Sequence, residues 1–235
     1  MSDKPLLNWK PSRRQFLAAT SVTTAVSVLP SWVYAESADP VPLEQYLPEY
    51  FNATEWAFIM AATARLIPAE GDGPSAHAAR VPVFIDRQLA SSYGIGADWY
   101  MGGPHDPTAD PALGYQTPLT PRQIYRQGIA AINTWCNENH GKPFNQLESA
   151  QQDEVLSAVQ QGTIQLDAEL RDFFSLLLSN SKEGYFSDPK YGGNHKMLAW
   201  SYIGFPGARA SFKEWAEQHN VPYPLGPVSI AGERA

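Results

Sequence analysis

The sequence predicts an all-α protein: a single compact helical domain with long loops rich in glycine, proline and aromatic residues, preceded by a cleavable signal segment. Apolar residues recur at helical spacing in several segments between residues 54 and 177. No run of alternating Val, Ile or Thr indicates a sheet. Hydrophobic residues make up 43% of the 235 residues and charged residues 17%, which is enough apolar material to bury the core of one domain.

Residues 1–35 have the features of an export signal. Four basic side chains precede a weakly apolar stretch at 16–29, and the small residues Val33 and Ala35 suit cleavage after Ala35. Arg13 and Arg14 lie in the run S-R-R-Q-F-L, which matches the twin-arginine pattern S-R-R-x-F-L. Because the twin-arginine route carries proteins that have already folded, the motif predicts export of a folded cargo to the periplasm. The alternative is an ordinary secretory signal that holds two arginines by chance.

The rest of the chain is predicted to comprise an extended arm at 36–51, a helical domain at 52–219 and an extended, proline-rich tail at 220–235 that leaves the domain. Five helices are expected within the domain, and each has a recognisable start. Their expected starting residues are Thr54 as a cap, Pro82 in a first turn, Thr120 as a cap, Ser149 with Gln152 as a capping box, and Asp167. Shorter helices fit 195–203 and 212–218.

Candidate cofactor ligands are sparse in this sequence. No two of the five histidines lie within four residues of each other, and the closest cluster, His105 with Asp106 and Asp110, sits among prolines and indicates a turn. The single cysteine, Cys136, lies in a helical stretch and is predicted to be a buried structural thiol. We therefore expect no metal and no cofactor on this chain. A folded-export signal on such a chain suggests that the cofactor belongs to a partner exported with it.

The charge balance argues against nucleic acid as a partner. Removal of residues 1–35 takes away four basic side chains and one acidic side chain, so 13 Lys or Arg remain against 23 Asp or Glu. Phosphate binding needs clustered basic residues, and this chain is acidic. No apolar run reaches the length of about 18 residues that a membrane-spanning helix needs.

Two segments depart from a simple helical pattern. Residues 94–118 are 25 residues without periodicity, with five glycines and four prolines, and loops of this length in compact domains are commonly functional. Residues 184–207 hold six aromatic residues and the paired glycines Gly192 and Gly193. Paired glycines allow a close backbone approach, and aromatic rings suit binding surfaces. The alternative is that these rings cover the domain's own core.

The most specific motifs resemble those of one family, the small subunit (subunit 3, or gamma) of gluconate 2-dehydrogenase and related membrane-bound sugar and polyol dehydrogenases. The resemblance covers about residues 52–207, in addition to the twin-arginine leader. It rests on LIPA at 66–69, GP at 73–74, VPVFID at 81–86, YFSDPKYGGN at 185–194, Trp200 and IGFPG at 203–207. The last blocks are the most specific.

The resemblance implies a periplasmic complex of three subunits. A large subunit oxidises the sugar or sugar acid with FAD, and a cytochrome c subunit with haem c passes electrons to the quinone pool. The small subunit would have no redox centre and no catalytic residue. It would support maturation and export of the large subunit, and it would meet the membrane only through the complex. Gluconate is the leading substrate; fructose, sorbitol, glucose and 2-ketogluconate are the alternatives.

The aromatic segment is the predicted contact with the large subunit. The residues expected at this interface are Tyr185, Phe186, Tyr191, Gly192, Gly193, Asn194, Trp200 and Phe205. An independent periplasmic carbohydrate-binding module, with the same rings in a sugar pocket, is an alternative from another class. A free-standing hydrolase with Glu169 and Asp172 as its acid pair is a second alternative, although residues at that spacing are more typical of a solvated helix face.

Overall fold

The computed structural model describes residues 40–235; Arg13, Arg14 and the predicted cleavage site at Ala35 lie outside the described residues. The chain divides into two units, Met1–Pro42 and Leu43–Ala235. The second unit is helical, as the sequence predicts, and within it the only β-structure is three isolated bridges. Its six α-helices are α1 (Ala53–Leu66), α2 (Val81–Ala90), α3 (Pro121–His140), α4 (Ser149–Gln160), α5 (Phe173–Phe186) and α6 (Leu198–Ile203).

Two helices begin one or two residues earlier than the sequence predicts. Asn52, not Thr54, caps α1: its Oδ1 accepts from the backbone N of Glu55 at 2.9 Å, and Glu55 Oε2 accepts from the backbone N of Asn52 at 3.0 Å. Glu148 caps α4 in place of Ser149, and its backbone N donates to Gln151 at 3.2 Å. Gln152, the predicted partner of Ser149, is buried and donates to the carbonyl of Phe144.

The remaining helix predictions differ mainly in extent. Thr120 caps α3 and Pro121 is its first residue, as predicted. The predicted fifth helix is divided into a 3₁₀ turn at Ala168–Leu170 and α5. The segment 195–203 is a 3₁₀ turn at His195–Met197 followed by α6, and only a 3₁₀ turn at Lys213–Trp215 forms within 212–218. Short helices with few apolar contacts depend on tertiary packing, which the sequence pattern does not report.

Aromatic rings fill the centre of the helical domain. Phe58 of α1 contacts Phe144 and Phe173, with ring centroids 4.7 and 6.2 Å apart, and Tyr125 of α3 contacts Phe173 at 5.8 Å. All four side chains are fully buried. The polar tip of Tyr125 is satisfied by Asn180 of α5, whose Nδ2 donates to its hydroxyl at 3.1 Å. Burial also raises the pKa of Tyr125, so that the phenol stays protonated.

Two glycines allow helices to approach α5 closely. A Cβ on Gly128 of α3 would lie 2.3 Å from the ring of Phe173, and a Cβ on Gly184 of α5 would lie 2.8 Å from the ring of Phe84 in α2. Contacts this short are not possible for a real side chain, so both positions need glycine. The helix α5 is thereby packed directly against α2 and α3.

A buried carboxylate fixes residues 46–51, the end of the predicted arm. Asp86 of α2 is fully buried and accepts four hydrogen bonds, from the hydroxyl of Tyr46 at 2.8 Å and from the backbone N–H groups of Glu49, Tyr50 and Phe51 at 2.7–3.1 Å. The arm therefore lies against the helical domain over these residues. Because Asp86 is the acceptor for four donors, its loss would leave several polar groups at this contact unsatisfied.

The tail differs from its prediction, since its last residues return to the domain rather than leave it. Val228 forms isolated bridges with Gly207 and Arg234, and Ser229 is buried. The backbone N of Ile230 donates to Asp188 Oδ2 at 2.6 Å. The prolines at 222, 224 and 227 predict an extended tail. The tail returns because it forms hydrogen bonds with the backbone at 206–208 and with the Asp188 carboxylate, which are distant in the sequence.

Two sets of contacts hold the loop at 94–118: hydrogen bonds from an arginine and packing between aromatic rings. Arg171, which lies between the 3₁₀ turn at Ala168–Leu170 and α5, donates from its guanidinium to the carbonyls of Pro107, Ala109 and Gly114. Trp99 packs edge-on against Tyr93 and Tyr115, at centroid distances of 5.8 and 4.6 Å. The Arg171 guanidinium and a row of three rings thus hold this loop in addition to its turns and the 3₁₀ turn at Pro111–Leu113.

We predict that Asp86→Ala lowers the free energy of unfolding by about 3 kcal/mol, because three backbone N–H groups and one hydroxyl lose their acceptor. Urea denaturation measures this loss, and limited proteolysis should show cleavage within 43–51. Asp98→Ala, which changes an exposed carboxylate in the long loop, is the matched control. Equal stability of the two variants would contradict the role assigned to Asp86.

Candidate functional site

The predicted interface segment folds into the end of α5, two 3₁₀ turns at Pro189–Tyr191 and His195–Met197, and α6. Three residues in it, Asn194, Lys196 and Met197, adopt left-handed backbone conformations without being glycine. Such conformations cost energy and persist only where surrounding contacts hold them. The contacts that hold these conformations are made by Gly192, Gly193, Asn194 and Asp188.

The paired glycines press the segment against this chain's own helices. A Cβ on Gly193 would lie 2.1 Å from the carbonyl oxygen of Gly184, and Gly192 has a φ of 97° with Arg87 beside it. Paired glycines in the sequence predict a close approach of the backbone to another protein. The approaches in the structure are internal: Gly193 lies against the carbonyl of Gly184 in α5, and Gly192 lies against Arg87 and Val83 in α2.

Asn194 connects the end of α5 to the first turn of α6. Its side chain is fully buried; Oδ1 accepts from the backbone N of Ala199 at 2.9 Å, and Nδ2 donates to the carbonyl of Ser187 at 2.9 Å. The first bond satisfies a donor in the first turn of α6, and the second satisfies the carbonyl that follows α5. Asn194 is therefore a structural residue that sets the position of α6 relative to α5.

Asp188 has a similar internal role. Its Oδ1 accepts from the backbone N of Lys190 at 3.1 Å, which caps the 3₁₀ turn, and its Oδ2 accepts from Ile230 in the returning tail. The carboxylate is 6% exposed. Sequence reasoning missed this function, because the partner of Asp188 lies 42 residues further along the chain.

Two of the predicted interface rings are buried in the domain. Tyr185 and Trp200 are each 7% exposed. The hydroxyl of Tyr185 donates to the carbonyl of Pro74 at 2.7 Å, and the indole N–H of Trp200 donates to the carbonyl of Phe186 at 2.8 Å. For these two residues the structure favours the alternative that the sequence left open, in which the rings cover the chain's own core.

The other rings are exposed and form what we call the aromatic surface. It consists of six side chains that are between 37% and 56% exposed: Phe186, Tyr191, Leu198, Tyr202, Ile203 and Phe205. Phe205 packs edge-on against Trp200 at 5.1 Å, and Phe186 packs edge-on against Tyr185 at 4.9 Å. The buried rings therefore support the exposed ones, so that apolar side chains are presented to solvent in fixed positions.

Leu198, Tyr202 and Ile203 were not among the residues predicted for this surface. Leu198 and Tyr202 are four residues apart in α6 and so lie on one face of that helix. The signal was present in the sequence, because this spacing places them away from the buried Ala199 and Trp200. A helix of six residues was too short for its periodicity to be recognised.

Other candidate sites are structural in the described part of the chain. Among residues 40–235 there is no group of three or more His, Cys, Asp or Glu side chains that could hold a metal ion. Asp106 and Asp110 cap turns at Thr108 and Ala112. Cys136 is buried in α3, and this burial raises the pKa of its thiol to about 11, so it is protonated at neutral pH.

The charged groups near the start of α1 also satisfy one another. A shallow depression there is lined by Asn52, Glu55 and Arg126. Arg126 Nε donates to Glu55 Oε1 at 2.8 Å, while the other carboxylate oxygen is used in the helix cap.

Asp172, proposed with Glu169 as an acid pair, lies 3.9 Å from the guanidinium of Arg171. No described helix has both the length and the apolar character needed to cross a bilayer.

The fold and this surface define an all-helical protein whose distinguishing feature is an exposed aromatic surface supported by buried rings. A profile of the family described as gluconate 2-dehydrogenase subunit 3 matches residues 53–207, about two thirds of the chain. The chain belongs to this family, whose name describes a subunit of a gluconate 2-dehydrogenase. The match includes all six helices and the aromatic surface. Searches of curated proteins and of solved structures gave no significant match.

The division between buried and exposed rings predicts a large loss of stability at a buried ring and a small change at an exposed one. Trp200→Ala removes a buried ring and its hydrogen bond, and we expect it to lower the free energy of unfolding by about 3 kcal/mol. Tyr191→Ala removes a ring that is 45% exposed, and we expect a change below about 1 kcal/mol. Thermal and urea denaturation of the two variants measure the difference. A Tyr191→Ala protein as unstable as Trp200→Ala would contradict this assignment.

Proposed function

We propose that this chain is the non-catalytic small subunit of a periplasmic dehydrogenase complex that oxidises D-gluconate to 2-dehydro-D-gluconate. FAD would be bound by a large flavoprotein subunit and haem c by a cytochrome c subunit. The chain would assist maturation of the flavoprotein and carry it through the twin-arginine route, so that the complex meets the membrane only through its other parts. The family match over residues 53–207 is the observation that carries this proposal.

The proposed export role is supported by the leader of this chain. The twin-arginine motif at Arg13 and Arg14 precedes a domain in which the buried side chains of Asp86, Asp188 and Asn194 make internal hydrogen bonds. Such a domain can fold as a unit before transport and still present the aromatic surface. A flavoprotein bound there would be exported with it.

Export of the flavoprotein is expected to depend on the leader of this chain. Arg13→Lys combined with Arg14→Lys should retain both proteins in the cytoplasm, because the twin-arginine motif is read as an address rather than as charge. Subcellular fractionation with antibodies against both subunits measures the distribution. Lys4→Arg with Lys10→Arg, which also exchanges basic residues in the leader, is the control and should export normally. Periplasmic flavoprotein in the double Arg→Lys strain would contradict the export role.

The aromatic surface is the proposed contact with the flavoprotein. Phe205→Ala and Tyr191→Ala should each weaken binding by about tenfold or more while leaving the thermal unfolding midpoint nearly unchanged, because exposed anchors contribute to binding but little to folding. Co-purification of the flavoprotein with each variant measures retention. Tyr100→Ala and Leu113→Ala, which remove exposed apolar side chains from the long loop, are the controls. Undiminished co-purification with all four variants would place the interface elsewhere.

Gluconate is proposed as the substrate from the family description alone. Oxidation rates of the purified complex with gluconate, fructose, sorbitol, glucose and 2-ketogluconate identify the substrate directly. The isolated small subunit is expected to show no flavin or haem absorbance. A stoichiometric flavin or haem spectrum from the isolated chain would contradict its proposed non-catalytic role.

A further inference from the structure

The tail ends in a small hairpin at residues 227–235, which we call the tail hairpin. Its two arms are antiparallel: the backbone N of Ser229 donates to the carbonyl of Glu233 at 2.9 Å, and the backbone N of Ala235 donates to the carbonyl of Pro227 at 3.3 Å. The hydroxyl of Ser229 also accepts from the backbone N of Glu233 at 3.1 Å. These contacts all lie within the tail hairpin, so it supplies its own internal pairing.

The domain holds the first arm of the tail hairpin through main-chain groups. The backbone N of Ala208 donates to the carbonyl of Val228 at 2.7 Å, and the backbone N of Val228 donates to the carbonyl of Pro206 at 3.3 Å. A Cβ on Gly207 would lie 2.3 Å from the carbonyl oxygen of Val228, so the close approach of the two backbones needs a glycine there. The contact is a parallel bridge, a form of pairing in which main-chain hydrogen bonds supply the affinity.

Asp188 adds a charged acceptor to this contact. Its Oδ2 accepts from the backbone N of Ile230 at 2.6 Å, whereas the side chain of Ile230 is 61% exposed. The carboxylate therefore binds the backbone of the tail and not its apolar side chain. A buried carboxylate oxygen without a donor is costly, so Asp188 favours any segment that brings an N–H group to this position. Val228 and Ile230 thus present two N–H donors, two residues apart, with the buried Ser229 between them.

The tail is attached to the domain without being part of its packed interior. No residue of the tail belongs to the hydrophobic core of the described part of the chain. In the connection at 209–226 aromatic rings pack on one another, with the ring of Tyr223 5.7 Å from Phe212 and 5.4 Å from Trp215. Release of the tail would therefore leave the helical core intact, and its free-energy cost would be that of a local opening.

The acceptor groups lie in a different part of the chain from the segment that they hold. Asp188 and Pro206 are within residues 53–207, which the family profile matches, and the tail hairpin is beyond them. A Cβ on Gly207 would also lie 3.0 Å from the ring of Trp200, so the acceptor groups are next to a ring that supports the aromatic surface. The helical domain thus has a hydrogen-bonding edge of its own, which a separate segment fills.

We propose that Pro206, Ala208 and Asp188 form a binding site for an extended peptide, and that the tail hairpin is a displaceable occupant that closes this site. The ligand class follows from the groups present: an extended segment with N–H donors two residues apart and a small residue between them, since Ser229 is 2% exposed. An occupant tethered to its own site competes at an effective concentration on the order of millimolar, so it excludes free peptides until it is released. The tail is in this sense an autoinhibitory strap.

Removal of the two N–H donors from the tail tests the proposal in the full chain from residue 36. Val228→Pro with Ile230→Pro deletes the donors to Pro206 and Asp188, because proline has no backbone N–H. The probe is a fluorescein-labelled synthetic peptide of residues 226–235, and its binding is followed by fluorescence anisotropy. We expect it to bind the double-proline chain at least tenfold more tightly than the wild-type chain, whose own tail competes for the site. The thermal unfolding midpoint should be nearly unchanged.

Two controls separate release of the tail from other effects of proline. Leu225→Pro places a proline at an exposed tail position outside the hairpin, and this chain should bind the peptide as weakly as the wild type. A peptide that carries the same two prolines should bind the double-proline chain at least tenfold more weakly than the unmodified peptide, because it lacks both donors.

Three results would overturn the proposal. Equal affinity of the peptide for the wild-type and double-proline chains would mean that the tail does not occupy the peptide's site. A double-proline chain that does not bind the peptide would mean that the edge accepts no segment in place of the tail. A thermal midpoint lowered by more than about 5 °C would make the tail an integral part of the fold and not a displaceable strap. All three measurements use this chain alone, so their outcome is independent of the proposed function.

Discussion

Gly184 is the point on which the rest of this structure depends, because three parts of the domain meet at a position that has no side chain. The ring of Phe84 in α2 occupies the space where a Cβ would be, and Gly193 lies against the carbonyl oxygen of the same residue. The first contact packs α2 on α5, and the second presses the aromatic segment onto the end of α5. A side chain at Gly184 or at Gly193 would separate these elements, since packed interiors do not yield by the 1 Å or so that such contacts would require.

Buried polar side chains connect this packing point to the neighbouring turns, to α6 and to the tail. Asn194 links the end of α5 to the first turn of α6, and Asp188 links the following turn to the returning tail. Trp200 then holds the carbonyl of Phe186 and the ring of Phe205. Each of these groups satisfies its own hydrogen-bonding capacity inside the chain, which leaves the exposed rings free to contact another molecule. A binding surface with fixed side chains loses less conformational entropy when a partner binds.

The same arrangement separates the structural residues of the segment from the residues proposed to contact a partner. Its most sequence-specific residues, the paired glycines with Asn194 and Trp200, face inward and determine shape, whereas Phe186, Tyr191 and Phe205 face solvent. Membership of the gluconate 2-dehydrogenase subunit 3 family is consistent with an accessory subunit. The buried carboxylates of Asp86 and Asp188 bind backbone N–H groups and so have a structural role.

The sequence by itself determined the helical class, the position of α3 with its Thr120 cap, the family, and the segment in which the exposed rings occur. These follow from local spacing, capping residues and short motifs, which act within a few residues of each other. Only the tertiary structure decided that Asn52 and not Thr54 begins α1, that the tail returns to Asp188, and that Tyr185, Asn194 and Trp200 are buried while Tyr202 and Ile203 are exposed. An aromatic residue suits a core and a binding surface equally well by its chemistry. Which of the two it joins is determined by contacts with residues distant in the sequence, as the contact of Tyr185 with Pro74 illustrates. The contact of Asp188 with Ile230 is likewise distant, and the local sequence pattern indicates neither of them.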